Sequence, residues 1–145
     1  MSINAIELCK FYTVGGQLVR ALDGVSLDIE EGDYVTVVGT SGSGKSTLMN
    51  ILGCLDQPTK GSYLLDSNDV STLSDFSLSE IWSVKIGFIF QSFNLIPNLT
   101  ALENVELPLL YRRVPKNERR EVAMAALESV RLSDRALHST SEMSG

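Results

Sequence analysis

Tyr34-Val-Thr-Val-Val-Gly-Thr-Ser-Gly-Ser-Gly-Lys-Ser-Thr-Leu-Met-Asn-Ile-Leu52 decides the fold of this 145-residue chain. Tyr34–Val38 is rich in β-branched residues and nearly continuously apolar, the pattern of a strand covered on both faces. It runs directly into the glycine- and hydroxyl-rich stretch Gly39–Thr47. Beyond that, Leu48, Ile51, Leu52 and Leu55 stand at i, i+3, i+4 and i+7, which predicts an amphipathic helix. Buried strand, glycine loop, helix is the grammar of an α/β fold.

Within that loop, Gly39-x-x-x-x-Gly44-Lys45-Ser46 matches the phosphate-binding pattern known as Walker A. The chemistry asks for these residue types. A polyphosphate is strongly anionic, and a helix start offers unpaired N–H groups plus a partial charge of about +0.5. Glycines at 39, 42 and 44 let the backbone approach phosphate oxygens with no Cβ between. Lys45 supplies a point charge for the β and γ phosphates and is the candidate catalytic residue of the loop. The Ser46 hydroxyl is a candidate Mg²⁺ ligand, since that ion prefers oxygen. Gly39, Thr40, Ser41, Gly42, Ser43, Gly44, Lys45, Ser46 and Thr47 are together the candidate cofactor-binding residues. A glycine- and serine-rich surface loop is the plain alternative, but it would need neither the strand before it nor the helix after it.

Working outward, Ile6–Leu8 and Val25–Ile29 alternate apolar with polar as half-buried strands do, with turn chemistry at Gly15-Gly16 and Glu30–Asp33. Ser62–Asp66 reads as a short strand and Ile86–Phe90 as a second buried one, ending at Gln91. Ser77-x-x-Glu80 and Thr100-x-x-Glu103 have capping-box spacing, and Pro108 limits or kinks the helix that the second one opens. Asn117 is a candidate cap for a final helix whose apolar stripe is Val122, Ala125, Ala126 and Val130. Cys54 reads as a small helix hydrophobe, Trp82 and Phe93 as packing residues, His138 as a solvated loop residue, and Glu118–Glu121 as a solvated helix face. No repeat or linker divides the chain, so one domain, or a piece of one, is expected over 1–145.

Composition narrows the classes. With 12 Lys+Arg against 18 Asp+Glu, the net charge is −6, which argues against a broad basic nucleic-acid surface. Apolar content of 43% with 21% charged residues supports a folded core over disorder. No apolar run reaches the roughly 20 residues that span a bilayer, and the first residues lack the layout of a secretory signal. Cys9 and Cys54 have no second cysteine at metal-ligand spacing, so a soluble, reducing compartment is expected.

The order of elements resembles the ATP-binding cassette of ABC transporters over essentially the whole chain. Several stretches carry the likeness: Lys10-Phe-Tyr12 ahead of Ala21–Ile29, the Walker A loop, Ile86-Gly-Phe-Ile-Phe-Gln91 and Asn94–Pro108. Met49–Asp56 and Glu103–Pro108 are similar to the branch that includes macrolide exporters, lipoprotein-release ATPases and a cell-division relative. The resemblance implies a P-loop NTPase with a RecA-like core, an antiparallel β subdomain and the start of a helical subdomain. Core would fall over approximately 1–91 and helical part over 92–145. It implies that Tyr12 stacks on adenine, with a packing role as the alternative. It implies that Gln91 touches Mg²⁺ and the attacking water, with a simple strand end as the alternative.

Ser141-Glu-Met-Ser-Gly145 resembles the opening of the signature motif, with Met143 where the family has leucine and Thr140 where relatives often have proline. The Walker B aspartate, catalytic glutamate and switch histidine are then expected after residue 145. These residues alone are expected to bind ATP and Mg²⁺ without hydrolysing ATP, and to be of low stability. For the complete protein the resemblance implies an ATPase that forms a head-to-tail dimer with a second cassette and drives a transmembrane permease subunit in export or extraction. It would be peripheral, on the cytoplasmic face of the inner membrane, with the permease contact near residues 93–110. The alternative is a non-transport ATPase of regulatory or mechanical role. A P-loop kinase or GTPase finds less support, since no Asn-Lys-x-Asp stretch specifies guanine.

Overall fold

The alternation before residue 30 folds as one long β-hairpin in the computed structural model, which describes residues 1–90 and 94–143, the side chains of Asp75 and Trp82 excepted. Strands β1 (Ile3–Val14) and β2 (Gln17–Ile29) pair antiparallel from Val14↔Gln17 to Ile3↔Ile29. Gly15 and Gly16 both take positive φ, 57° and 81°, as a two-residue turn matched to the strand twist requires. Both strands are longer than Ile6–Leu8 and Val25–Ile29. Register shifts between Ala5 and Leu8, Leu8 and Lys10, and Lys10 and Phe11 interrupt the two-residue period that sequence alternation detects.

Strand β3 (Lys60–Leu65) pairs antiparallel with the other edge of β1, placing Tyr63 opposite Ala5. A tight turn at Asp66-Ser67, both at positive φ, leads to β4 (Asn68–Asp69) and gives the sheet order β2-β1-β3-β4. Asp66 belongs to that turn, so the expected strand Ser62–Asp66 is shifted toward its start. Helix α1 (Lys45–Leu52) buries Leu48, Ile51 and Leu52 in a core with Leu8, Leu22, Tyr63 and Leu65. Leu55 leaves the expected stripe: Gly53 caps the helix and Leu55 is 42% exposed. Cys54 is buried as expected of a small hydrophobe, but in the turn after α1, with φ 53°. The Tyr63 hydroxyl donates to the Leu52 carbonyl at 2.7 Å, tying the end of α1 to the sheet.

Helix α2 (Asp75–Lys85) starts earlier than the Ser77-x-x-Glu80 spacing predicts. Its cap is Ser74, whose hydroxyl accepts the Ser77 N–H at 3.3 Å. The expected buried strands are the larger correction. Tyr34–Val38 and Ile86–Phe90 are irregular, and Tyr34, Val38 and Ile89 are 96%, 84% and 97% exposed. Apolar β-branched sequence becomes a strand only where a neighbouring ladder accepts it, and among the described residues neither segment enters one. The side chain of Trp82, and Phe93 with Gln91, lie outside the described residues.

The chain separates into two compact units, Met1–Phe88 and Ile89–Gly145. In the second, helix α3 (Ala101–Tyr111) opens on the expected capping box. Thr100 Oγ1 accepts the Glu103 N–H at 3.2 Å, and Glu103 accepts the Thr100 N–H at 2.8 Å. Pro108 lies inside α3, which runs on to Tyr111. Helix α4 (Lys116–Ser129) is preceded by Pro115 at the cap position, not Asn117. Its buried residues are Ala123 and Leu127, which join Leu102 and Ala136 in a small core. Val122 and Val130 of the expected stripe are 47% and 62% exposed. Ala125 and Ala126 are exposed as well; Leu127 and Ala123, at i and i+4, form the face that is buried instead. His138 is exposed, as expected.

A candidate nucleotide site at the start of helix α1

The β1–β2 hairpin carries Val19–Ala21 against the glycine loop, and the fit depends on one residue. Gly44 caps α1 in the left-handed region at φ 89°, and a Cβ there would lie 2.3 Å from the Ala21 carbonyl oxygen. Any side chain would push loop and strand apart. The helix start has no side-chain cap and no acidic residue in its first turn, so its positive end is left for an external anion. Lys45 reaches back across the loop. Its Nζ donates to the carbonyls of Gly39 at 2.8 Å and Thr40 at 2.6 Å, and to Ser43 Oγ at 3.4 Å. Loop and hairpin enclose a cavity of about 570 Å³, lined by Val19–Ala21 and Ser41–Thr47.

The candidate residues from Gly39 to Thr47 are thus brought together, with the Ser46 hydroxyl in the exposed part of the lining. Tyr12 reaches the same neighbourhood from β1, where it pairs with Val19. Its ring is 37% exposed, and Thr47 approaches its phenol. The phenol donates to Asp56 Oδ2 at 3.0 Å, and the Lys10 ammonium stands 5.3 Å from the ring centroid. Lys10 also donates to Asp56 Oδ1 at 2.6 Å and to the Gln57 carbonyl at 2.7 Å. Partial burial first, then the bond to Asp56, raises the Tyr12 pKa and keeps the phenol protonated. Burial acts to raise the Asp56 pKa as well. Hydrogen bonds from Lys10, the Gln57 N–H and Tyr12 outweigh it and hold this carboxyl below the usual range.

Lys10 and Asp56 escape a sequence reading. Lys10 stands two residues before Tyr12, but the register shift between Lys10 and Phe11 breaks the two-residue period there, so spacing alone does not pair them. Asp56 lies 44 residues from Tyr12, and nothing local marks it. Among the described residues, no group of three or more His, Cys, Asp or Glu side chains could hold a metal ion. Nor is any helix among them long and apolar enough to cross a membrane.

A glycine cradle closed by a lysine at a bare helix start, with a hairpin packed against it, defines a P-loop nucleotide-binding protein of the α/β class. More narrowly, the chain belongs to the ABC transporter family, whose model matches residues 22–145. It is 51% identical over 143 residues to an uncharacterized ABC transporter ATP-binding protein of Thermotoga maritima, covering 99% of this chain and 61% of that one. It is 52% identical over 143 residues to the macrolide export ATP-binding/permease protein MacB of Brucella abortus, covering 99% of this chain and 22% of that one. Among solved structures, it superposes with a TM-score of 0.89 at 44% identity on the ATP-binding cassette MJ0796 in a dimeric post-hydrolysis state bound to ADP and Pi, covering 98% of this chain and 63% of that chain. The chain thus spans about three fifths of the length of the Thermotoga relative and of that cassette.

Proposed function

We propose that this chain grips ATP with Mg²⁺ for a protein that couples ATP binding and hydrolysis to export or extraction of a substrate through a membrane permease. The observation that carries the proposal is the Lys45 ammonium drawn into the mouth of the Gly39–Thr47 loop beside an uncapped helix start. The backbone of that loop would wrap the phosphates, Lys45 would lie between the β and γ groups, and Tyr12 would stack on adenine. Magnesium, bound with the nucleotide, would neutralise charge on the phosphate oxygens, held by the Ser46 hydroxyl; Gln91, the other residue the resemblance implies for it, lies outside the described residues. The exposed hydroxyl and the lack of a carboxylate cluster among the described residues suit an ion that takes most of its ligands from phosphate and water.

Two partners follow from the same reading. One is a second cassette in a head-to-tail dimer, supported by a solved relative described as dimeric. The other is the permease, and similarity to a macrolide export ATP-binding/permease protein favours transport over a regulatory role. Its contact is proposed at residues 93–110, where Leu95, Ile96 and Leu110 are exposed, because exposed apolar patches mark interfaces. On this reading the protein would work at the cytoplasmic face of the inner membrane. Calorimetric titration with Mg·ATP tests the core of the proposal. Lys45→Ala removes the main side-chain charge facing the phosphates, so its binding is expected to fall below detection. Unchanged affinity would refute the loop assignment, and a strong preference for GTP would refute the adenine contact.

A further inference from the structure

The Asp56 carboxylate has no place in the phosphate cradle, yet it is the most heavily bonded acid near it. It takes hydrogen bonds from Lys10 Nζ at 2.6 Å, the Gln57 N–H at 2.8 Å and the Tyr12 phenol at 3.0 Å. It sits just past the end of α1, where the N–H groups of Leu55 and Asp56 both bond to the Asn50 carbonyl, at 2.8 and 3.3 Å. The residue that grips the phenol is therefore anchored to the helix whose first turn opens the phosphate loop. The same turn is tied to β1 from the other side, by Thr59 N–H to the Cys9 carbonyl at 2.7 Å and Phe11 N–H to Thr59 Oγ1 at 3.0 Å.

We infer that Asp56 is a positioning residue for base recognition: through the Tyr12 hydroxyl it fixes the aromatic ring at the distance and angle from the phosphate loop that a purine base needs. The inference rests on the reading that Tyr12 stacks on the base. A tyrosine 37% exposed would otherwise turn about its side-chain bonds and lose that freedom on each binding event. With its hydroxyl held, the ring loses it once, on folding. Lys10 serves the same end. Its ammonium neutralises the carboxylate, which would otherwise repel an incoming triphosphate, and lies 5.3 Å from the ring centroid, a cation–π distance.

The test compares Mg·ATP with inorganic tripolyphosphate, which has the charge but no base, titrated calorimetrically into the 145-residue chain and its variants. Asp56→Asn keeps an acceptor oxygen but loses the charge. It is expected to weaken ATP about five- to tenfold, the scale of the difference between a charge-assisted and a neutral hydrogen bond, and to leave tripolyphosphate affinity where it was. Tyr12→Phe, which keeps the ring and the Lys10–Asp56 pair, is expected to show the same selective loss. Asp56→Asn added to Tyr12→Phe is expected to add nothing. An equal loss for both ligands would make Asp56 a merely structural residue and overturn the inference. Unchanged ATP affinity in Tyr12→Phe would overturn it as well, and this variant decides the matter should Asp56→Asn fail to fold. Tyr12→Ala separates the two levels. Loss of ATP affinity in Tyr12→Ala alone would leave stacking intact and sink only the role of Asp56, whereas no loss in Tyr12→Ala would sink the stacking reading and the inference together.

Discussion

Lys45 bonds to the Gly39 and Thr40 carbonyls, so its ammonium is already held over the loop before any ligand arrives. On the proposed reading, nucleotide binding would exchange two neutral carbonyl partners for anionic phosphate oxygens, adding charge–charge attraction to bonds whose donor is already ionised. Asp56 shows the converse, an acid fully engaged within the fold. Its carboxyl is held below the ordinary range by Lys10, Gln57 and Tyr12. A depressed folded-state pKa gives stability that is complete above the unfolded value, about 3.9, and is lost as pH falls through the folded one. The urea midpoint is therefore expected to fall as pH drops from about 5 toward 3, and to fall less steeply in Asp56→Asn. An equal pH dependence in the two proteins would show that Asp56 gains nothing from its partners.

At the scale of elements, local signals and non-local ones part company. The Thr100–Glu103 box at the start of α3 is a local device, two reciprocal bonds within four residues, and its spacing announced it. Thr100→Ala is expected to cost about 1 kcal/mol, the usual worth of a side-chain cap. Hydrogen exchange should show faster opening of the first turn of α3, and unchanged protection there would contradict the assignment. Gly15-Gly16 and the Gly39–Thr47 loop are legible for the same reason, since glycine and hydroxyl residues carry their conformational meaning with them. Tyr34–Val38 and Ile86–Phe90 are not. Their composition reports a preference for a covered ladder, but a ladder is made with another segment, and among the described residues none pairs with them. The α4 stripe failed more narrowly: Val122, Ala125, Ala126 and Val130 are all exposed, while Ala123 and Leu127 on another face of the helix enter the core with Leu102 of α3.

For the molecule as a whole, the two compact units answer different questions. Met1–Phe88 holds a hydrophobic core that joins α1 to the antiparallel sheet, and so sets the phosphate loop against the hairpin bearing Tyr12. Ile89–Gly145 has a smaller core and exposed apolar residues at Leu95, Ile96, Leu110 and Tyr111, which suits a surface built for a partner. The phosphate cradle was readable because its residues are consecutive. The clamp on Tyr12 was not, because Lys10 and Asp56 meet only after the sheet has formed. A net charge of −6 adds a constraint: an acidic chain that binds a polyanion must concentrate its positive potential locally. One measurement tests that most directly, an amide ¹H–¹⁵N titration of the chain with Mg·ATP. Saturating shifts confined to Gly42–Thr47 and the hairpin around Tyr12 and Val19 are what the account predicts. Shifts that map elsewhere, leaving the Gly44 and Lys45 amides unmoved, would contradict it.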